Sequence, residues 1–339
     1  MHRPMNDPAT AAPPRSLPLA PLDVSLNIEV GRALDIERLA NACRQWAGSD
    51  IGHPPRLTIS LEIAADLAGR GDARIAVCGA AMTIDGPGVR ARAVAGEKRA
   101  TCFVSRDYLD DPGGMADEVL EPLLLRLLTR EDRTPVHASG IIVDGLAIIL
   151  AGPSGSGKSC LARAADAAGL QVLSDDVVYV QTSPELRVWG WPSAAHLLPA
   201  DARCGNLATR VRNGKRKYVF PLRSASVGAI SCRQAVLCVL ARGRQPALKP
   251  IAAGEAMRRL WPLDPGFDEL PREIGAAVEA LSARGAWELS LSDNPEAALR
   301  LLLESLHRLE RTGCGSGRQA QKLTLPPATS AVREWVSPR

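Results

Sequence analysis

Alternation of apolar and polar residues marks the start of the structured chain. Val24, Leu26, Ile28 and Val30 are separated by single polar residues, a pattern typical of a strand with one buried face. A second alternating strand is predicted over 57–63, and further short strands over 74–83 and 99–105. We also expect a helix over 35–46 and another over 115–130, which carries the apolar run 123–128. We interpret residues 21–130 as a small α+β domain. Residues 1–20 are rich in Pro and Ala and lack periodicity, which predicts a disordered arm.

A β-hairpin begins the second half of the chain. Ala138–Val143 and Leu146–Ala151 are apolar runs on either side of Asp144-Gly145, a dipeptide typical of a two-residue hairpin turn. A glycine-rich loop then leads into a helix over 158–168 that ends at Gly169. Further strands are predicted over 171–173, 177–181, 217–221 and 235–241, and a last helix has Asn294 as its N-cap and Pro295 at its first position. We interpret 131–311 as a second domain and 312–339 as a disordered tail.

The loop between this hairpin and its helix is a nucleotide-binding motif. It reads GPSGSGKS and fits the pattern G-x-x-x-x-G-K-[ST] in full. Its glycines let backbone amides approach phosphate oxygens, Lys158 can reach the β- and γ-phosphates, and Ser159 can bind Mg²⁺. The alternative is a Gly/Ser-rich surface loop, which the strand–loop–helix context disfavours. We therefore expect a triphosphate to contact all eight residues: Gly152, Pro153, Ser154, Gly155, Ser156, Gly157, Lys158 and Ser159.

Three further residues are candidates for chemistry beside this loop. Asp175 and Asp176 follow a short apolar strand that we expect to pair with the strand preceding the loop. One carboxylate could hold Mg²⁺, and the other could accept a proton from an attacking hydroxyl. The alternative is a turn or N-cap pair, since Ser-Asp-Asp is common in loops. His137 precedes the hairpin and is a weaker candidate, because a lone histidine is more often structural.

A basic segment lies further along the chain. Five cationic residues surround Asn213-Gly214, and Arg212, Lys215 and Arg216 are the ones closest to that turn. One interpretation is a solvated hairpin tip. The other is a loop that closes on phosphates or holds an acidic peptide, with Arg212 or Arg216 stabilising charge on the transferred group.

Residues 136–180 resemble the catalytic domain of HPr kinase/phosphorylase. That family shows a histidine, a short hairpin, a GDSGVGKS-like loop, a helix and a strand ending in Asp-Asp, and all five features occur here in the same order. The family's downstream glycine-rich IRGLGI-like signature has no counterpart, since this chain reads VWGWPSAAHLLPADA there. The resemblance implies an α/β fold, with a P-loop kinase domain of the HPr kinase/phosphoenolpyruvate carboxykinase type beside a smaller N-terminal α+β domain.

The same resemblance implies a reaction and roles for the site residues. It implies transfer from ATP, with Mg²⁺, to a serine hydroxyl of a protein or peptide, such as the precursor peptide of a biosynthetic cluster. Asp175 would be the general base. Asp176 would assist Mg²⁺ or phosphate placement together with Ser159, and His137 would lie near the phosphates.

Composition narrows the classes of partner. Net charge is +4 and aromatic content is 4%, which gives little support for nucleic-acid binding. No apolar run is long enough for a membrane span and no signal peptide is evident, so we expect a cytoplasmic protein. The eight cysteines form no CxxC pair, which argues against a zinc site or a disulfide framework.

Other functions remain open at this stage. A nucleotide-binding regulatory or scaffold protein with little catalysis would keep the P-loop and tolerate loss of the downstream signature. A small-molecule kinase would need a closed substrate pocket rather than an open basic face. Homo-oligomerisation is possible, and nucleic-acid binding is the least favoured reading.

Overall fold

The chain forms two compact units in a computed structural model that describes residues 15–48, 54–191, 195–197, 209–212, 215–222, 230–260, 270–283 and 285–312. The first unit comprises Met1–Ala20, Val24–Arg44 and Ser49–Leu127. The second comprises Leu128–Arg339 together with the short segments Pro21–Asp23 and Gln45–Gly48. The tail predicted over 312–339 lies, apart from Thr312, outside the described residues.

A seven-stranded sheet forms the first unit, in the order β1-β2-β3-β7-β6-β5-β4. The β2–β3 and β3–β7 pairs are parallel, and the other neighbours are antiparallel. The strands are β1 (Arg15–Leu19), β2 (Leu26–Val30), β3 (Leu57–Ile63), β4 (Arg74–Cys78), β5 (Ala81–Gly86), β6 (Val89–Val94) and β7 (Arg99–Val104). The helices are α1 (Ile36–Ala42), α2 (Pro112–Met115) and α3 (Glu121–Leu128), with a π-helical turn, Ala116–Leu120, between the last two.

Alternation in the sequence corresponds to alternating burial in this sheet. Leu26, Ile28 and Val30 are buried and pair with Leu57, Ile59 and Leu61 of β3. The helix expected over 35–46 is shorter: Asp35 accepts hydrogen bonds from the amides of Glu37 and Arg38, and α1 ends before a 3₁₀ turn. The alternation of apolar and polar residues therefore predicted the buried faces of β2 and β3 correctly.

Two sequence expectations for this unit need correction. The disordered arm predicted over 1–20 does not include Arg15–Leu19, which is strand β1, paired antiparallel with β2. Leu17 and Leu19 are buried, and their alternation is too short to stand out in a Pro-rich context. The single strand expected over 74–83 is a hairpin, because Gly79 (φ 56°) turns the chain between β4 and β5. Residues 1–14 lie outside the described part.

The second unit is built on a six-stranded sheet, in the order β11-β9-β10-β18-β20-β19. A four-stranded sheet (β17-β13-β12-β8) and a three-stranded sheet (β14-β16-β15) accompany it. The strands are β8 (Thr134–Val136), β9 (Ala138–Val143), β10 (Leu146–Ala151), β11 (Gln171–Ser174), β12 (Val178–Gln181), β13 (Arg187–Gly190), β14 (Ala195–Leu197), β15 (Thr209–Arg212), β16 (Lys215–Phe220), β17 (Ser231–Cys232), β18 (Gln234–Arg242), β19 (Ala247–Ile251) and β20 (Ala286–Leu291). The helices are α4 (Lys158–Ala167), α5 (Ala253–Leu260), α6 (Pro271–Ser282) and α7 (Pro295–Thr312).

Strand β10 is buried on both faces of the six-stranded sheet. Ile148 and Leu150 pack into a core with α4 and α7, whereas Ala147 and Ile149 pack into another with α6 and the four-stranded sheet. A strand covered on both sides reads as a continuous apolar run, which is why the segment LAIILA has no polar residue. The predicted hairpin turn is confirmed, since Asp144 (φ 48°) and Gly145 (φ 82°) both have the left-handed backbone that such a turn needs.

Burial also accounts for the cysteines. The six that the structure describes are free thiols, and four of them, Cys43, Cys102, Cys232 and Cys238, are buried. Desolvation raises the pKa of Cys102 and Cys238 to about 12, so these thiols stay protonated at neutral pH. None of the described helices is long and apolar enough to cross a membrane.

The predicted cap of the last helix is confirmed and can be tested. Asn294 Oδ1 accepts a hydrogen bond of 3.0 Å from the Ala297 amide. We expect Asn294→Ala to reduce stability by about 1 kcal/mol, because an amide in the first turn of α7 loses its partner. For a unit of this size, the unfolding midpoint should fall by about 2–4 °C in a thermal melt followed by circular dichroism. Asn294→Asp keeps an acceptor and should melt like the wild type; equal losses in both variants would contradict the cap.

Candidate phosphate-binding site

Strand register brings three distant parts of the chain to one edge of the six-stranded sheet. In the antiparallel β9–β10 pair, Ala138 faces Ala151, so His137 lies beside the start of the glycine-rich loop. Strand β11 pairs with the other side of β9, where Ser174 faces Gly140, and Asp175 and Asp176 therefore emerge at the same edge. The expectation that β11 pairs with the loop's own strand is corrected: β9 lies between them, because the tight hairpin turn makes β9 the neighbour of β10.

The loop itself has the backbone that its glycines allow. Gly155 (φ 82°) and Gly157 (φ 104°) are in the left-handed region, where other residues are strained. A Cβ at Gly157 would lie 2.8 Å from Leu291 Cδ1, whereas one at Gly155 would meet nothing within 4 Å. The crest of the loop is therefore open, and its base is packed against β20.

Lysine and helix complete a cradle for an anion. Helix α4 begins at Lys158, directly after the loop, so its first-turn amides, which have no acceptor within the helix itself, lie next to the loop backbone. The Lys158 side chain is buried, and its Nζ donates to the carbonyl oxygens of Gly152 at 2.6 Å and Pro153 at 3.2 Å. The ammonium group is thus held across the loop, where a phosphate chain would extend.

Asp175 is buried and hydrogen-bonded to helix α4, which follows the loop. It is only 1% exposed, and its Oδ2 accepts a hydrogen bond of 3.2 Å from Ser159 Oγ. Ser139 Oγ donates to the backbone carbonyl of Asp175 and lies 3.5 Å from its Oδ1. Sequence reasoning missed Ser139, although a hydroxyl in an otherwise apolar strand was a usable signal.

Asp176 and His137 form a second, more open pair. His137 Nδ1 lies 3.6 Å from Asp176 Oδ1, and the two side chains are 23% and 30% exposed. The sequence predicts that Asp176 shares Mg²⁺ with Ser159, but the carboxylate that contacts Ser159 is that of Asp175. Adjacent residues after a strand point in different directions, and the spacing alone did not say which one turns inward.

The oxygen atoms beside Ser159 suit a magnesium ion. Among the described residues, no group of three or more His, Cys, Asp or Glu side chains is placed to hold a metal. Mg²⁺ in phosphate-binding sites is usually held by one or two protein oxygens, with phosphate and water oxygens completing the octahedron. The Ser159 hydroxyl and the Asp175 carboxylate fit that donor set.

One side chain from outside the loop contacts it and was not singled out from the sequence. Strand β18 runs parallel to β10, so both strands end at the same edge, and Arg242 Nη2 donates to the Gly155 carbonyl at 3.0 Å. The Ser156 hydroxyl is buried and has no hydrogen-bond partner among the described residues. A Cβ at Gly152 would lie 2.9 Å from Ser156 Oγ, so a larger residue there would displace the Ser156 side chain.

The basic segment forms an antiparallel ribbon. Strands β15 and β16 pair with Arg212 opposite Lys215, and with Arg210 opposite Lys217. Asn213 and Gly214, between them, lie outside the described residues. The register thus places cationic residues opposite one another twice, and the role predicted for Arg212, Lys215 and Arg216 stays a prediction.

Comparison with known proteins gives a likeness to solved structures only. No protein-family model matches the chain, and no curated protein matches it. A solved structure, the Hpr(Ser) kinase/phosphatase from Coxiella burnetii, matches 53% of this chain and 97% of its own at 13% identity, with a TM-score of 0.28. A TM-score this low supports no conclusion about function, which must instead be inferred from the geometry of the site.

The Arg242 contact leads to a prediction about nucleotide affinity. We expect Arg242→Ala to weaken ATP and ADP binding about fivefold, because the loop loses a hydrogen bond worth about 1 kcal/mol. Arg244→Ala changes an exposed arginine two residues away and is the matched control. Isothermal titration of all three proteins checks this. Identical affinities for the wild type and Arg242→Ala would show that the contact does not support the loop.

Proposed function

We propose that this protein is an ATP-dependent kinase that transfers the γ-phosphoryl group to a serine hydroxyl of a protein or peptide. The observation that carries the proposal is the convergence of the P-loop, the Ser159–Asp175 pair and the His137–Asp176 pair at one sheet edge. A simple nucleotide-binding module needs the first of these features. A phosphotransferase also needs groups that position a metal ion and activate an acceptor.

The loop supplies binding and charge neutralisation. Its amides, the first turn of α4 and Lys158 Nζ together form a positive cradle for the triphosphate. Mg²⁺, held by Ser159 and Asp175, would neutralise charge on the β- and γ-phosphoryl oxygens. Because the Asp175 carboxylate is buried and accepts a hydrogen bond from Ser159, it would orient that serine toward the metal.

The open pair suits the acceptor. Asp176 is partly exposed beside His137, so a serine side chain from outside could reach it, whereas Asp175 is enclosed. In the proposed step, the serine oxygen attacks the γ-phosphorus, the bond to the β–γ bridging oxygen breaks, ADP leaves, and the serine proton passes to Asp176. His137 would orient the Asp176 carboxylate. This assignment reverses the order that the family resemblance implies, in which Asp175 is the base.

The exposure of the His137–Asp176 pair is the reason for preferring a macromolecular acceptor in this proposal. The acceptor groups lie at a sheet edge with partial exposure, and the basic ribbon β15–β16 offers cationic residues for an acidic peptide or for the phosphates. The resemblance of residues 136–180 to HPr kinase points to a serine in a protein. There are two alternatives. One is a kinase with a small-molecule acceptor, and the other is a nucleotide-binding regulatory protein with little turnover.

The direct test is phosphoryl transfer. Full-length protein would be incubated with γ-³²P-labelled ATP, Mg²⁺ and a library of serine-containing peptides, including acidic ones, and also with small alcohols and sugars. Label on peptide serine supports the proposal, and label on small molecules alone favours a small-molecule kinase. Tight ATP binding without transfer to any acceptor, and without dependence on Asp176, favours the regulatory reading.

Separate replacement of the two aspartates distinguishes their roles. We expect Asp176→Asn to keep Mg²⁺-dependent ATP affinity within about twofold and to lower turnover by about 10²–10⁴-fold, because only proton acceptance is lost. We expect Asp175→Asn to weaken ATP binding in the presence of Mg²⁺ but not in EDTA. Titrations with and without Mg²⁺, together with single-turnover rates, check both. The reverse pattern would restore Asp175 as the base.

Replacement of the ribbon arginines tests the predicted phosphate loop. The double variant Arg212→Gln/Arg216→Gln should lower turnover by about tenfold or more while ATP affinity stays largely intact, because charge on the transferred group is no longer offset. Arg244→Gln, an exposed arginine on the turn after β18, is the control for general loss of positive charge. An unchanged kcat in the double variant would remove this segment from the mechanism.

A further inference from the structure

We propose that strand β4 is a self-association edge, through which two copies of the chain pair antiparallel about Ala76. This inference concerns the first unit alone and does not depend on the kinase proposal. It begins with an exposed apolar strand. Among the described residues, Ile75 and Val77 are the exposed large hydrophobic side chains, with 50% and 40% of their surface accessible.

Within the described part of the chain, strand β4 is an uncovered sheet edge. It is the last strand in the order β1-β2-β3-β7-β6-β5-β4. Cys78 and Ala81 flank the two-residue turn to β5, and the residues that close such a turn hydrogen-bond to each other. Backbone hydrogen bonding to a neighbouring strand involves every second residue, so the backbone groups of Ala76 and Arg74 also hydrogen-bond to β5. The backbone N–H and C=O groups of Ile75 and Val77 therefore point outward, available to a further strand.

The opposite edge of the same sheet is protected in the usual way. Strand β1 carries Pro18, which has no N–H to donate, and its Arg15 and Ser16 are exposed. Strand β4 has neither a proline nor a charge between Ile75 and Cys78. Natural sheets block free edges with such residues when pairing is harmful. Their presence at one edge and absence at the other favours use of β4 for pairing.

The apolar face of the sheet continues to this edge. Ile75 pairs with Ile84 of β5, and Val77 pairs with Met82. Both β5 residues are buried, and residues directly opposite each other share a face. The buried face of the sheet thus extends one strand further than its cover, and Ile75 and Val77 are its uncovered last row.

The sequence of β4 is complementary to itself. With Ala76 on a two-fold axis, Ile75 lies opposite the partner's Val77, and Arg74 lies opposite the partner's Cys78. All five residues pair, no charge faces a like charge, and the four apolar side chains of the two copies form one cluster. The outward groups of Ile75 and Val77 then satisfy each other in two reciprocal hydrogen-bonded pairs. A two-fold interface requires this kind of self-complementarity.

The size of the contact sets its strength. Two five-residue strands bury much less than the roughly 1,200 Å² at the lower end of stable interfaces. The pairing should therefore be weak and reversible, and dimer should increase with protein concentration. A second copy is the occupant that this register favours; an unrelated extended peptide would gain no advantage from the symmetry about Ala76.

A cysteine on the two-fold axis tests the register. Ala76 and its symmetry mate would form a non-hydrogen-bonded pair, with Cα atoms about 4.5 Å apart, within the range that a disulfide spans. In full-length protein carrying Cys78→Ser, we expect Ala76→Cys to form covalent dimer under mild oxidation at least about tenfold faster than Thr83→Cys. Thr83 lies on the same face one strand inward, and the two copies of it would be three strand spacings, about 14 Å, apart.

A second measurement needs no cysteine. Sedimentation velocity over about a hundredfold concentration range should show the wild type moving toward dimer, and Ile75→Lys/Val77→Lys remaining monomeric with an unchanged thermal melt. Equal cross-linking of Ala76→Cys and Thr83→Cys would overturn the proposal, as would a wild type that stays monomeric at every concentration. Kinase activity is not a readout in either experiment, so failure here leaves the proposed function untouched.

Discussion

The placement of β9 between β10 and β11 is the constraint on which the candidate site depends. The tight turn at Asp144-Gly145 fixes β9 against β10 with Ala138 opposite Ala151. Strand β18 occupies the other side of β10, and β11 pairs with the remaining side of β9. His137, the loop and Asp175 consequently reach one edge, although 38 positions separate the first and last of them in sequence. A one-residue slip in either pair would turn every side chain to the opposite face, and the Ser159–Asp175 hydrogen bond would be lost.

Different burial gives two neighbouring carboxylates different chemistry. Asp175 is enclosed and hydrogen-bonded to Ser159, which suits a group that orients its neighbours. Asp176 is partly exposed beside His137, which suits contact with an incoming acceptor. Paired acidic residues in catalytic sites are commonly divided in this way by their surroundings. Phosphate binding alone does not require two carboxylates and a histidine beside the loop. These additional groups are the reason for proposing phosphoryl transfer.

Local signals predicted much of the fold and part of the site. The P-loop, its flanking strand and helix, the hairpin turn and the Asn294 cap depend on interactions within a few residues, so spacing and residue type were sufficient for them. Strand β1 was missed because its apolar alternation is short and lies in a Pro-rich segment. The partner of β11 was misassigned because nearness in sequence to the P-loop strand was taken for nearness in the sheet.

Sequence alone determined that residues 152–159 form a glycine-rich loop at a strand–helix junction, with the residue pattern of a phosphate-binding loop, and that acidic residues follow the next strand. The sequence also shows that β1 contains a proline and β4 does not. It does not show that these two strands are the two edges of one sheet. Only the tertiary structure decided that Asp175 turns inward to Ser159, that Asp176 meets His137, and that Ser139 and Arg242 support the site. The reason is that strand order and side-chain direction at a strand's end are set by long-range pairing and packing, which no local pattern records.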